Sequence, residues 1–357
     1  MDYAARRDRA LAAIDAAELD ALLVTRMTNI RYLTGFSGST GLLVLGAEPA
    51  LVVDFRYRSQ AQRQVEGLPL RIVDSVFQLW PELERALLVG AHKRIGFDGD
   101  HLSATRYLAL AAHDGPRWQQ AAGLVERLRA CKDAAELAAL RQAMAITDGA
   151  WEDALGALRP GVTELHCSGQ IELFQRDRGG EKAASDILVS SGPRTALPHG
   201  TPTERELAAG EPVMTDLGAV VDGYLGDLTR TVHLGPAPDD FRELYAIVLE
   251  AQQQALDALA PGKRGCDVDA VARGVIADAG HGERFGHSLG HAIGLDNHEA
   301  PLLSPFNETV LEPGMVTTVE PGIYVPGRGG VRIEDTVVVT ETGYENLTSS
   351  RKELIEL

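Results

Sequence analysis

Four acidic residues occupy positions where an extended chain is normally apolar: Asp216 in Val213-Met214-Thr215-Asp216-Leu217, Asp227 in Gly226-Asp227-Leu228-Thr229, Glu320 in Val316-Thr317-Thr318-Val319-Glu320, and Glu334 in Val331-Arg332-Ile333-Glu334. An unpaired carboxylate is expensive to bury, so each one implies a cation beside it. A single acid of this kind reads first as a strand-edge ion pair, whereas four in like contexts, with histidine nearby, read as the donor set of a divalent metal site. Carboxylates bridge two ions and neutralise their charge, which is the chemistry of metal-assisted hydrolysis. Histidine is concentrated in the same half of the chain, with His287, His291 and His298 inside one glycine-rich segment, Phe285–Glu299. Those glycines argue against a helix there and for a tight loop or strand pair.

The elements that must position these residues are legible from periodicity. Asp216 and Asp227 are eleven positions apart, and Asp222-Gly223 between them suits a hairpin turn, so two antiparallel strands would aim both carboxylates at one spot. Upstream, Asp133 followed by Glu136 is a capping-box start for a helix reaching Pro160-Gly161, and a second helix runs from Glu164 to Arg178. Strand-like segments then fill Ile187–Val232. The order repeats, with helices over Phe241–Leu259 and Val268–Ala279 and strands through Val316–Val339, which predicts a domain of two similar halves. Before Cys131 the chain alternates helices (Arg6–Leu19, Gln60–Glu66, Ser103–Ala112) with apolar runs (Ala21–Val24, Leu42–Leu45, Leu51–Val53, Ile95–Phe97), the pattern of an α/β layer domain. The expected division is therefore 1–130 and 131–357.

Composition narrows the function classes. The chain has 357 residues with 34 Lys and Arg against 51 Asp and Glu, a formal charge of −17 that repels phosphate backbones and excludes nucleic acid as the expected partner. No run of apolar residues is long enough to span a membrane, and the charged N-terminus is unlike a signal sequence. Three widely spaced cysteines without a Cys-x-x-Cys pair suit a reducing compartment, so the expected location is cytoplasmic.

Six segments in order resemble the Xaa-Pro peptidases, aminopeptidase P and prolidase. They are Ser190–Gly200, Thr215–Ala219, Gly226–Thr231, Gly290–Glu299, Val319–Tyr324 and Val331–Asp335. Asn29–Phe36 and Asp54–Tyr57 resemble N-terminal motifs of short bacterial members, so the likeness covers the whole chain. It implies an α/β N-terminal domain followed by an α+β pita-bread catalytic domain, the creatinase and methionine aminopeptidase fold. It also implies two divalent ions, Mn²⁺ first with Co²⁺ or Zn²⁺ as alternatives, on Asp216, Asp227, His291, Glu320 and Glu334, with Asp227 and Glu334 bridging. By the same resemblance His199 and His298 contact substrate or the tetrahedral intermediate, and His287 belongs to the surroundings of the site, where a structural role is equally open.

Glu320 is then the candidate proton shuttle. Arg332, two residues before Glu334, orients a carboxylate or the substrate, or else is a solvated strand-edge charge. Tyr324 belongs to the site or to the core, and His233 reads as structural. Relatives assemble as homodimers or homotetramers. The implied reaction is hydrolysis of the bond between an N-terminal residue and proline in proline-containing peptides. A creatinase-like amidinohydrolase would lack the acidic set, and a non-catalytic binding module would have lost ligands. Prolidases hold the free carboxylate of a dipeptide with an arginine between the second active-site histidine and Val319-Glu320-Pro321-Gly322, but Glu299–Val319 contains neither Arg nor Lys. That absence favours the aminopeptidase over the dipeptidase, with Arg332, or Arg56 or Arg58 from the other domain or another subunit, as the alternative holders of a dipeptide carboxylate. Leu217 and Ala292 stand where relatives often carry Phe and Gly.

Overall fold

The computed structural model describes residues 1–89 and 93–357, and the chain divides into two compact units, Met1–Arg129 and Ala130–Leu357. In the first unit the described strands are β1 (Ala21–Val24), β2 (Leu42–Gly46), β3 (Ala50–Asp54), β4 (Leu70–Val73), β5 (Arg94–Phe97) and β6 (Arg117–Gln120). They form one mixed sheet in the order β4-β3-β2-β1-β5-β6. Helices α1 (Tyr3–Ala16), α2 (Met27–Thr34), α3 (Arg58–Gln64), α4 (Leu79–Val89), α5 (Ala104–Ala111) and α6 (Leu124–Ala130) accompany it. The apolar runs seen in the sequence are the central strands, and Leu23, Val44, Val52 and Ile95 share a core with Leu83 and Leu87 of α4. Helices α2, α4 and α6 and the short strands β4 and β6 are additions to the elements expected from the sequence.

In the second unit, α7 (Ala134–Leu155) begins with the expected reciprocal capping box of Asp133 and Glu136 and is followed by α8 (Glu164–Asp177). This pair packs on the sheet of β7 (Leu188–Ser191), β8 (Pro212–Leu217) and β11 (Leu228–His233), ordered β11-β8-β7, around Trp151, Ile171, Val213 and Val232. Between β8 and β11, β9 (Val220–Val221) and β10 (Tyr224–Leu225) form a two-residue hairpin. Asp222 and Gly223 both have positive φ there, at 48° and 79°, the conformation that such a turn requires.

The second half repeats the arrangement. Helices α9 (Asp239–Ala258) and α10 (Gly265–Asp278) pack through Val248, Leu256 and Ile276 against Val319, Ile323, Val331 and Val337. Its strands are β12 (Gly290–Ala292), β13 (Glu299–Leu303), β14 (Val316–Val319), β15 (Gly322–Val325), β16 (Gly329–Arg332), β17 (Asp335–Val339) and β18 (Tyr344–Asn346). The sheet order is β13-β12-β14-β17-β18, with β15 and β16 paired as a separate hairpin. Within the histidine-rich segment Gly290–Ala292 is a strand that pairs with β13, with a bulge between His291 and Ala292, while His287 and His298 lie outside strands. Gly290 is needed there because a Cβ would meet the Thr318 carbonyl oxygen at 2.0 Å.

One expectation changes. Asp216 lies within a strand, but Glu320 follows the end of β14, Glu334 falls between β16 and β17, and Asp227 immediately precedes β11. At such a junction the backbone leaves its ladder, so the side chain is free of strict in–out alternation and several can converge on one point.

Arg230 ties these junctions together. Buried on β11, it forms an ion pair of 2.9 Å with Asp335 and donates to the carbonyls of Thr229, Glu334, Ser350 and Arg351. Asp335 is held low in pKa because, against the upward push of burial, Arg230 and Lys352 favour its charged form. Arg230→Met leaves that carboxylate with Lys352 and the Asn346 amide and strips four carbonyls of a donor. We expect a loss of about 3–5 kcal/mol, read as a lowered urea midpoint; an unchanged midpoint would contradict this assignment.

Candidate metal centre

The acids at these junctions and the histidine-rich strand pair enclose a pocket of about 450 Å³ whose walls include Asp216, Asp227, His291, Glu320, Glu334 and Arg332. Ligand atoms of Asp227, His291 and Glu334 lie within 4.8 Å of one another. His291 Nε2 is 3.3 Å from Glu320 Oε1 and 3.7 Å from Asp227 Oδ2. Its Nδ1 lies 3.2 Å from the Ala292 carbonyl, which only accepts, so Nδ1 carries the proton and Nε2 turns a lone pair towards the carboxylates. A lone pair facing carboxylate oxygens is an arrangement completed by a cation.

The electrostatics agree. Burial, then repulsion from Glu334, Asp216 and Glu320, raises the pKa of Asp227 well above the carboxylate range. Burial pushes Glu320 up to about 7, with Arg332 and Asp216 acting in opposite senses upon it. Glu334 rises to about 8 through burial and the charges of Glu320 and Asp216. A set of oxygen donors and one imidazole, with too little built-in positive charge, fits one or more hard or borderline divalent ions.

Most of these side chains are held by a partner of their own. The Thr318 hydroxyl donates to Glu320 Oε1 at 3.0 Å and accepts from the His291 backbone N–H at 3.1 Å. The Thr229 hydroxyl donates to Glu334 Oε2 at 2.7 Å. Arg332, 3 % exposed, is no strand-edge charge: it donates to Asp216 Oδ2 at 2.6 Å, to Thr229 Oγ1 at 3.0 Å, to the Pro198 carbonyl at 2.9 Å and to Tyr324 Oη at 3.1 Å. Tyr324 Oη is also 2.9 Å from His287 Nε2, which joins both residues to the site. Burial drives His287 down to about 4, so its imidazole is neutral. His298 packs against His291 with ring centroids 4.3 Å apart and planes tilted by 55°, and is lowered in pKa, chiefly by burial. His199, exposed on the loop after Ser190–Ala196, lines the same pocket. All ten site residues named from the sequence are thus gathered around one cavity, Tyr324 by way of its hydrogen bonds.

Sequence reasoning missed the residues that hold the site from behind. Glu164 at the start of α8 is fully buried and accepts from Ser191 and Thr203 through both backbone and hydroxyl, fastening the loop that bears His199. Asp269 of α10 accepts from the Leu289 N–H at 3.0 Å and pairs with Arg273, which donates to the carbonyls of Phe285 and His287. A buried acid on a helix was the available signal, but exposed helical acids look the same in a sequence.

The comparisons agree with this geometry. Residues 138–341 match the model of metallopeptidase family M24, and residues 6–131 match the creatinase/prolidase N-terminal domain. A solved structure described as an Xaa-Pro dipeptidase from Bacillus anthracis is 40% identical, with a TM-score of 0.95 and full coverage of both chains, 100% each. An X-Pro aminopeptidase from Thermotoga maritima is 32% identical at TM-score 0.90, covering 99% of this chain and 100% of that one. An Xaa-Pro dipeptidase of Pyrococcus horikoshii is 34% identical over 347 residues, 96% of either chain. The second unit is accordingly the pita-bread catalytic domain, whose chemistry depends on divalent metal. With two family models spanning nearly all of its length and these relatives matched end to end, the chain belongs to metallopeptidase family M24, in its Xaa-Pro peptidase branch.

Proposed function

We propose that the chain hydrolyses the bond between an N-terminal residue and proline in peptides longer than a dipeptide. Asp216, Asp227, His291, Glu320 and Glu334 would hold two divalent ions, Mn²⁺ first. The observation that carries the reading is the convergence of Asp227, His291 and Glu334 on one point beside Asp216 and Glu320. When bound, such ions polarise the scissile carbonyl and make a water nucleophilic at neutral pH.

The remaining work falls to side chains. Glu320, with Thr318 on one carboxylate oxygen, has its other oxygen to accept the proton of the attacking water and return it to the prolyl nitrogen, which must be protonated to leave. His298 and His199, at the pocket wall, donate to the developing oxyanion or hold the peptide. His287, neutral and bonded to Tyr324, offers a fixed polar edge to the substrate. Arg332 acts as a positioning residue, holding Asp216 and the Pro198 carbonyl at once.

That commitment of Arg332 supports the aminopeptidase reading. With four acceptors already engaged it has little left for a substrate carboxylate, and Glu299–Val319 contains no other basic residue. The second reading, a strict dipeptidase, draws on the description of the Bacillus anthracis relative.

The deciding experiment compares an Xaa-Pro dipeptide, an Xaa-Pro-Yaa tripeptide and an N-blocked Xaa-Pro peptide, each with Mn²⁺ and with chelator. Cleavage of the tripeptide with a higher kcat/KM than the dipeptide is expected, with no cleavage of the blocked peptide or in chelator. Dipeptide-only turnover would favour prolidase, and no turnover of either unblocked peptide would refute the peptidase assignment. Asp227→Ala is expected to abolish turnover without unfolding the chain, since it removes one of several repelling charges; wild-type activity in that variant would contradict the ligand set. A pH series tests the electrostatics. Glu320 and Glu334 bind protons more tightly folded than unfolded, so the stability of chelated protein should fall as pH rises from about 5 through about 8. The gap in Tm between Mn²⁺-loaded and chelated protein should therefore widen over that range, and a constant gap in calorimetry would show that these carboxyls are not the ones the ion neutralises.

A further inference from the structure

Behind the β15–β16 hairpin lies a second cavity of about 430 Å³, nearly the volume of the carboxylate pocket and sharing no residue with it. Phe241 and Leu244 of α9 and Val325 of β15 form its apolar wall. His233, at the end of β11, lines it while only 1 % exposed. Its Nδ1 is 2.9 Å from the Gly235 carbonyl, so the proton sits on Nδ1 and Nε2 is a bare acceptor. Nε2 has no hydrogen-bond partner among the described residues, and the residue lines the cavity. A structural histidine needs only its first bond. An acceptor beside a cavity and without a protein donor is met by water or by a ligand donor that displaces it.

Charge on the walls narrows the ligand class. Arg328 and Asp240 at the cavity pair with each other. Glu243, one helical turn beyond Asp240, and Arg284, in the short turn Gly282–Arg284, also line the cavity, and neither has an ion-pair partner among the described residues. An acceptor and an unpaired carboxylate suit an ammonium group, the unpaired guanidinium suits a carboxylate, and Phe241, Leu244 and Val325 suit an apolar body between them.

The same hairpin serves both cavities. Tyr324 directs its hydroxyl to His287 and Arg332 on the catalytic side, while its neighbour Val325 lines the cavity behind, as strand alternation requires. We propose that this cavity binds a free α-amino acid with an apolar side chain, its ammonium on His233 Nε2 and Glu243 and its carboxylate on Arg284, and that occupancy shifts the Tyr324–Arg332 hairpin and so changes turnover. Free amino acids are the product class of an aminopeptidase, so the regulatory half of this proposal rests on the function argued above, whereas the binding half does not.

Isothermal titration of L-leucine into the chelator-treated full-length chain tests binding, with N-acetyl-L-leucine and L-leucinamide as controls. Glu243→Gln and Arg284→Gln alter exposed residues outside the catalytic machinery. Saturable binding of L-leucine alone is expected, weakened by roughly tenfold or more in each variant, the loss that follows one charge-assisted hydrogen bond. L-leucine should also change kcat/KM for an Xaa-Pro-Yaa peptide in the wild type and not in the variants, which keep wild-type turnover without it. No saturable binding, equal affinity in both variants, or turnover indifferent to L-leucine would each overturn the proposal. If the chain cleaves no Xaa-Pro peptide, the assigned function fails while the titration still decides the site.

Discussion

Like charge forced into a small buried volume is the constraint around which the catalytic unit is arranged. Burial first, and then neighbouring acids with Asp216 acting on all three, raises the proton affinity of Asp227, Glu320 and Glu334, and Arg332 is the guanidinium built in among them. A core would relax such a cluster by moving the side chains apart. Here three of the four acids are held by a neighbour: Thr318 on Glu320, Thr229 on Glu334, Arg332 on Asp216. The repulsion is therefore retained in the fold, and it is what a divalent cation held as proposed above would relieve.

Holding that arrangement takes a framework larger than the site. Two halves, each a helix pair on a sheet, bring β8 and β11 from one side and β12, β14 and the β15–β16 hairpin from the other to a shared seam. Arg230 closes the seam by bonding backbone of β11, of the β16–β17 junction and of the C-terminal segment at once. Glu164 and the Asp269–Arg273 pair do the same for the loop before His199 and for the histidine-rich strands. These residues touch no reacting atom, yet sub-ångström placement of the donors depends on them.

Much of this was legible beforehand because it is local. Asp133 and Glu136 mark the start of α7, Asp222-Gly223 marks a turn, and the apolar runs of the first unit are its central strands. Acids interrupting apolar segments stood out for the same reason, since burial and charge conflict within a few residues. Less was legible where evidence is split between distant segments. Glu164 looks like any helical acid until Ser191 and Thr203 are seen to converge on it, and Arg332 reads as a strand-edge charge or a site residue until its four acceptors are counted in space.

The sequence by itself determined the chemistry available: which acids and histidines lie in apolar surroundings, in what order, and the helix-pair-then-strands rhythm that carries them. Only the tertiary structure decided that Glu320 and Glu334 sit at strand junctions rather than within strands, that Tyr324 and Arg332 form one hydrogen-bonded unit with His287, and that His233 lines a cavity with Nε2 unpartnered among the described residues. The reason is physical. Residue type and periodicity are properties of neighbours in the chain, whereas the direction of a lone pair and the count of its partners depend on segments that meet only after folding.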